Sequence, residues 1–359
     1  MSKERKAQAQ ARVGELLAGK YRLVSVLGVG GMGSVFSALH QYTDRRVALK
    51  LLHGDLARGV NVQRFLREAK AAAQIDHPRV AQVLDAGQDG EGGLYLAMEH
   101  LEGEDLGAHI RRGDLSTQSM VTLCAQILEA LEAAHDKGFI HRDIKPGNIF
   151  LVDHSRGEVD ARLLDFGVAR RQQPAAPRLT QAGHVVGTPY FMSPEQMCGE
   201  PVDARADLWA LGVVLYYGVA GRLPFRSPDY VELLKQMLKV GPPPIEELTE
   251  EAPSVAKDVL RRALCPQLEG RFDSAGQMRQ LLLGARDGEG APVVAAGRLR
   301  AQTPPAQSPV ARDQEAPWAP ALDALEREIQ SLEAKSTQES QDRAKASPKR
   351  RWGWPFSKK

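Results

Sequence analysis

Three side chains suited to group transfer stand close together in IHRDIKPGNIF, Ile140–Phe150: Asp143, Lys145 and Asn148. A carboxylate can accept the proton of an attacking hydroxyl, and a nearby ammonium can neutralise charge growing on the transferred group. A carboxamide oxygen can ligate a hard cation. Apolar residues close both ends, so the cluster is carried on something buried. The same run could equally be a solvated turn, and its meaning depends on what the rest of the chain brings to it.

Other segments supply the candidates. LGVGGMGSV holds Gly28, Gly30 and Gly33 in GxGxxG spacing. A dinucleotide-binding reading needs a helix after such glycines. Here the alternating SVFSALH follows, so the glycines are expected to turn a hairpin whose amides approach phosphate oxygens without a Cβ in the way. VALK puts Lys50 on an alternating strand, where an inward ammonium is costly unless paired. The helical segment VQRFLREAKAAAQI offers Glu68 on the face of Phe65 and Ala72, and a Lys50–Glu68 ion pair would hold the ammonium within reach of a nucleotide's phosphates. LLDFGVA places Asp165 between an apolar strand-like run and a glycine, a place that suits Mg2+ with Asn148 as a second oxygen ligand. Taken singly, each has a plain alternative: a flexible hairpin, a solvated lysine and glutamate, a common turn.

The elements that must position these groups fall into two parts. Tyr21 to Leu101 reads mostly as strand, interrupted by one helical pattern at Phe65, Leu66, Ala69 and Ala73. From Asp105 to about Leu283 helical patterns dominate. SMVTLCAQILEALEAAH repeats Met120, Cys124, Ile127, Leu131 and Ala134 at helical spacing, with Ser116 or Thr117 as its cap. A sheet-rich piece followed by a helix-rich piece predicts an α+β fold of two lobes. LWALGVVLYYGVAG falls short of the roughly 20 apolar residues of a membrane span and reads as a buried helix. Asp207, just ahead of it, is an N-cap by chemistry.

The 359 residues, 43% hydrophobic and 26% charged, suffice for a sizeable core. A net charge of +2 gives no ground for a nucleic-acid partner. Cys124, Cys198 and Cys265 are too scattered for a disulfide framework or a zinc site and fit reduced thiols. With a charged N-terminus and no apolar leader, the expected location is cytoplasmic, with a peripheral place at the membrane open to the tail described below.

In chain order, the glycine loop, VALK, the helix glutamate, HRD with its asparagine, and DFG resemble the protein kinase family, specifically the bacterial eukaryotic-like serine/threonine kinases. The resemblance covers about residues 20–284. It implies a small sheet-rich N-lobe with one key helix (about 20–98), a hinge (about 99–104) and a large helical C-lobe (about 105–284), with ATP in the cleft. Leu27, Gly28, Gly30 and Gly33 would form the nucleotide loop, with Val35 and Ala48 sandwiching the adenine. Met98 would be the gatekeeper, the backbone of Glu99 and Leu101 would bond the adenine edge, and Asp105 would take the ribose hydroxyls. Lys50, oriented by Glu68, would bind the phosphates, while Asn148 and Asp165 would hold Mg2+ or Mn2+. Asp143 would position and deprotonate the substrate hydroxyl, with Lys145 on the γ-phosphate.

GTPYFMSPEQ resembles the end of an activation segment, with Ser193 where the family's motif has alanine. By that resemblance Thr188 would bond the catalytic Asp and Lys, Glu195 would pair with an arginine, Arg271 first, and Asp207 would anchor the catalytic-loop backbone. Arg142 would receive a phosphate from Thr180, the autophosphorylation candidate. Protein serine/threonine hydroxyls are the implied substrates. A pseudokinase or scaffold, the rival reading, would be expected to lack one of Lys50, Asp143, Asn148 or Asp165. Beyond the resemblance, a lead-in covers 1–19, and the Pro/Ala-rich stretch 285–320 reads as a disordered linker. Residues 321–336 have a short amphipathic pattern. The end, 337–359, is basic and aromatic and suits an anionic membrane surface or an acidic partner.

Overall fold

The computed structural model describes residues 3–31, 33–53, 62–90, 92–153, 159–165, 189–240, 245, 248 and 254–284. Thr180, Thr188, the 285–320 linker, the 321–336 helix and the 337–359 tail lie outside them.

A six-stranded antiparallel sheet forms the small lobe, in the order β1 (Leu16–Leu17), β2 (Tyr21–Val29), β3 (Gly33–His40), β4 (Arg46–Leu52), β6 (Leu94–Glu99) and β5 (Val83–Gln88). Its register does the first positioning. Gly28 lies opposite Val35, Val35 opposite Lys50, and Lys50 opposite Leu96. Ala48 faces Met98 in the same ladder. Because side chains alternate along a strand, Ala48 and Lys50 share one face, while Leu49 and Leu51 are buried on the other. The glycine run turns the β2–β3 hairpin, closed by the Gly30 N–H donating to the Gly33 carbonyl at 2.8 Å. Gly33 is required sterically: a Cβ there would sit 2.1 Å from the Leu51 carbonyl oxygen.

Helix Val62–Ala72 buries Phe65, Ala69 and Ala72 against Leu94, Leu96 and Met98. The lead-in is more than a separate arm. Helix Lys3–Ala11 and β1 both join the small lobe, with Ala9 and Leu17 buried in its core. A left-handed turn at Ala18 and Gly19 folds β1 back onto β2, so the sheet starts before residue 20.

The larger lobe packs around helix Thr117–Asp136, capped by Ser116, whose hydroxyl accepts from the Ser119 N–H at 3.1 Å. Its Met120, Cys124, Ile127, Leu131 and Ala134 are all buried. Helix Arg205–Ala220 is buried from Ala206 to Tyr216, which accounts for its uninterrupted apolar pattern. Among the described residues no helix is long and apolar enough to cross a membrane. A second sheet, β7 (Glu104–Asp105), β8 (Ile149–Asp153) and β9 (Val159–Leu163), delivers Asn148 just ahead of β8 and Asp165 just past β9.

Candidate active site

The 141–148 loop is organised by its own backbone and by two buried side chains. Both oxygens of Asp207 accept from it, from the His141 N–H and from the Arg142 N–H, each at 2.8 Å. The same carboxylate bonds His135 Nε2 at 2.8 Å. Asp207 therefore does not cap its own helix. Ala204 occupies the N-cap position, and Asp207, in the first turn, is turned to the loop because two amides there compete for its oxygens. They hold Arg142 in a left-handed conformation, φ 63°, which costs a non-glycine residue on the order of 1–3 kcal/mol.

His141 is fully enclosed, and its tautomer follows from its neighbours. The Asp143 N–H donates to Nδ1 at 3.2 Å, so Nδ1 is unprotonated. Nε2 faces the Leu164 carbonyl at 2.8 Å and carries the proton. The ring is neutral, and burial holds its pKa below the ordinary imidazole value. It acts as a strut, joining the loop to the residue before Asp165. The Leu164 N–H closes the same junction by donating to the Asn148 carbonyl at 2.8 Å.

Around this strut the reactive groups converge. Asp143 Oδ2 accepts from Lys145 Nζ at 2.8 Å and from Asn148 Nδ2 at 3.1 Å. Asn148 Nδ2 also donates to the Asp143 carbonyl at 2.7 Å. With its nitrogen so engaged, Asn148 presents its amide oxygen, a hard donor that fits a divalent cation together with Asp165. From the small lobe, Lys50 Nζ donates to Asp165 Oδ2 at 2.6 Å. Asp165 also takes a left-handed backbone, φ 53°. The Asp143–Lys145–Asn148 set and the Lys50–Asp165 pair, the latter bridging the lobes, are thus joined through His141 and the Leu164 backbone.

One expected pair is not made. Lys50 does not bond Glu68; it bonds Asp165, while Glu68 Oε1 accepts from Arg64 Nε at 3.2 Å, one helical turn earlier. Glu68 Oε1 is engaged by its i−4 neighbour, and the short Lys50–Asp165 contact satisfies the ammonium.

At the other end of the cleft the Glu99 N–H donates to the Gln82 carbonyl at 2.9 Å, which holds the start of the hinge against the small lobe. Met98 is buried beside it. Asp105 caps helix Leu106–Arg112, its Oδ1 accepting from the Ala108 N–H at 2.9 Å, so one oxygen is committed before any sugar is bound.

Below the site, Arg271 forms a two-pronged ion pair with Glu195, Nη1 to Oε1 at 2.9 Å and Nη2 to Oε2 at 3.0 Å. Their side chains are 0% and 4% exposed. Arg271 also donates to the carbonyls of Cys265 and Pro266, and its guanidinium lies 4.8 Å from the Trp209 ring centre. Burial pushes the Cys198 thiol up to about 11, which excludes it as a ready thiolate.

Sequence reasoning did not single out Arg79 or Arg162. Neither lies in a motif, and their partners, Glu129, Asp160 and Glu99, are distant in the chain. No local signal marks them.

A protein kinase domain family matches residues 21–281. The chain is 43% identical over 257 residues to serine/threonine-protein kinase pkn3 of Myxococcus xanthus, covering 69% of this chain and 47% of that protein. It is 35% identical over 300 residues to serine/threonine-protein kinase PknA of Mycobacterium tuberculosis, covering 82% and 66%. This chain spans about half the length of pkn3, and less of M. xanthus pkn2, at 29%. The crystal structure of the Mycobacterium tuberculosis PknI kinase domain superposes with a TM-score of 0.59 at 28% identity, covering 76% of this chain and 98% of that one. The linked lysine, asparagine and aspartates therefore sit in a fold shared with solved kinase domains, and the chain belongs to the protein kinase family, in its bacterial serine/threonine branch.

Proposed function

We propose that this chain transfers the γ-phosphate of ATP to serine and threonine hydroxyls of proteins. The observation that carries this reading is the arrangement around His141, in which the Asp143–Lys145–Asn148 set and the Lys50–Asp165 pair are joined through His141 and the Leu164 backbone. Asp143 orients the incoming hydroxyl and accepts its proton. Lys145, already on that carboxylate, offsets charge on the migrating group. Asn148 and Asp165 would hold the divalent ion, which supplies charge neutralisation at the phosphates when bound. Lys50 would bind the phosphates on the other side, beneath the glycine hairpin with Leu27, Gly28, Gly30 and Gly33. Val35, Ala48 and Met98 would enclose the base, the backbone of Glu99 and Leu101 would bond its edge, and Asp105 would meet the ribose. All four groups whose loss would favour a pseudokinase are present. Transfer of labelled γ-phosphate by the intact chain, compared with Asp143→Asn, tests the reading directly.

Thr180 is the proposed regulatory site, with Arg142 the proposed charge partner of its phosphate and Thr188 a support to Asp143 and Lys145. The motivation is a lone threonine between DFG and GTPY. Thr180→Ala should lower activity at least several-fold and remove the main autophosphorylated peptide; an unchanged rate would discard the assignment.

The C-terminal KRRWGWPFSKK interleaves Trp352, Trp354 and Phe356 with basic residues, which supports docking of the chain on an anionic membrane surface. The full chain should sediment with phosphatidylserine vesicles at low salt and be released at high salt. Sedimentation no greater than with neutral vesicles would reject the idea.

A further inference from the structure

Strand β9 leads directly to Asp165 and has two dissimilar faces. Ala161 and Leu163 are fully buried in the large lobe's core. Asp160 and Arg162, two residues apart on the opposite face, both carry charge and both reach the small lobe. Arg162 Nη1 lies 3.4 Å from each carboxylate oxygen of Glu99, the residue that ends β6 and begins the hinge. Asp160 Oδ1 accepts from Arg79 Nη1 at 2.9 Å. Arg79 stands between helix Val62–Ala72 and β5, and its Nε donates to Glu129 of the long helix at 2.7 Å.

The backbone reinforces these ties. The Leu163 N–H donates to the Arg79 carbonyl at 2.8 Å, and the Ala81 N–H donates to the Leu163 carbonyl at 3.0 Å. Behind the cleft, β9 is therefore fastened to two small-lobe segments. One of them, at Glu99, is where the adenine edge would bond. Two residues past the strand's end, and three past Arg162, stands Asp165, the carboxylate proposed to hold the metal.

We propose that Arg162 is a positioning residue for the nucleotide: through Glu99 it sets the separation between the hinge and Asp165, and so the fit of Mg-ATP along the cleft. The proposal rests on the kinase reading above. Both members of the pair are partly exposed, 20% and 32%. A pair of that kind contributes little to overall stability. Removing it should leave the fold standing and show itself in nucleotide affinity.

The test uses the full chain with Mg-ATP and a peptide acceptor. Arg162→Met and Glu99→Gln should each raise KM for Mg-ATP on the order of 2–5-fold, a larger change than in kcat. The double variant should be no worse than the poorer single one, because both remove the same interaction. Arg162→Lys, which keeps the charge, should recover part of the loss. A purely structural pair would lower the melting temperature and leave KM alone, and that result overturns the proposal. So does a double variant whose effect is the product of the two singles. Should Arg162→Met not fold, the near-isosteric Glu99→Gln decides by the same criterion. Wild-type protein that neither binds nor uses Mg-ATP would instead refute the kinase reading, a distinguishable outcome.

Discussion

Asp143→Asn should lose phosphoryl transfer by roughly 10²–10⁴-fold, the usual contribution of a positioned general base. That corresponds to about 2.7–5.5 kcal/mol of transition-state stabilisation. The substitution keeps size and shape but removes the charge that Lys145 and Asn148 now address at 2.8 and 3.1 Å. An amide nitrogen turned toward either would set donor against donor, so the replacement also disturbs the ammonium needed beside the migrating group. Nucleotide affinity should change less than the rate, since the hinge, the glycine hairpin and Lys50, proposed to bind most of the nucleotide, are elsewhere. The measurement is labelled phosphate incorporated per unit time, alongside the melting temperature. A variant with normal stability and a rate within tenfold of wild type would remove Asp143 from its proposed role.

The second large effect is on stability. Glu195 and Arg271 are almost completely enclosed, and their four hydrogen-bonding atoms meet in two parallel bonds. Truncating one partner leaves the other charge buried without compensation, which costs about 3–5 kcal/mol. Arg271→Met should therefore lower the melting temperature by roughly 6–20 °C for a domain of this size. It would also release the carbonyls of Cys265 and Pro266 and the face of Trp209. Glu195→Met should cost a comparable amount. The double replacement by methionine should cost clearly less than the two single losses added, because no uncompensated charge remains. Strict additivity in thermal denaturation would mean that the pair is not the source of the loss.

Two ion pairs in this fold are expected to respond oppositely under the same physics. Glu195–Arg271 is sealed from water, so its removal should be felt by the whole domain. Glu99–Arg162 is partly exposed, so its removal should be felt in the geometry of the cleft. Burial, more than distance alone, decides which property each pair controls.

The amino-acid sequence alone determined the family and named the candidate reacting groups. Asp143, Lys145 and Asn148 share one short run, and Lys50 and Asp165 each stand in a motif that local chemistry can explain. The two-lobed α+β plan was legible for the same reason, since alternation and helical spacing are properties of neighbouring residues. The pairing of Glu195 with an arginine could be named because both lie in recognisable segments. Only the tertiary structure decided which carboxylate holds Lys50, because Asp165 is 115 positions away and Glu68 only 18, yet the nearer one in sequence turns to Arg64. It also separated the two readings that the sequence offered for Asp207, which bonds the His141 and Arg142 amides and does not cap its own helix, and it revealed the charged face of β9. Such choices depend on how distant segments are brought to within about 3 Å of each other, and side-chain polarity along the chain carries no record of that distance.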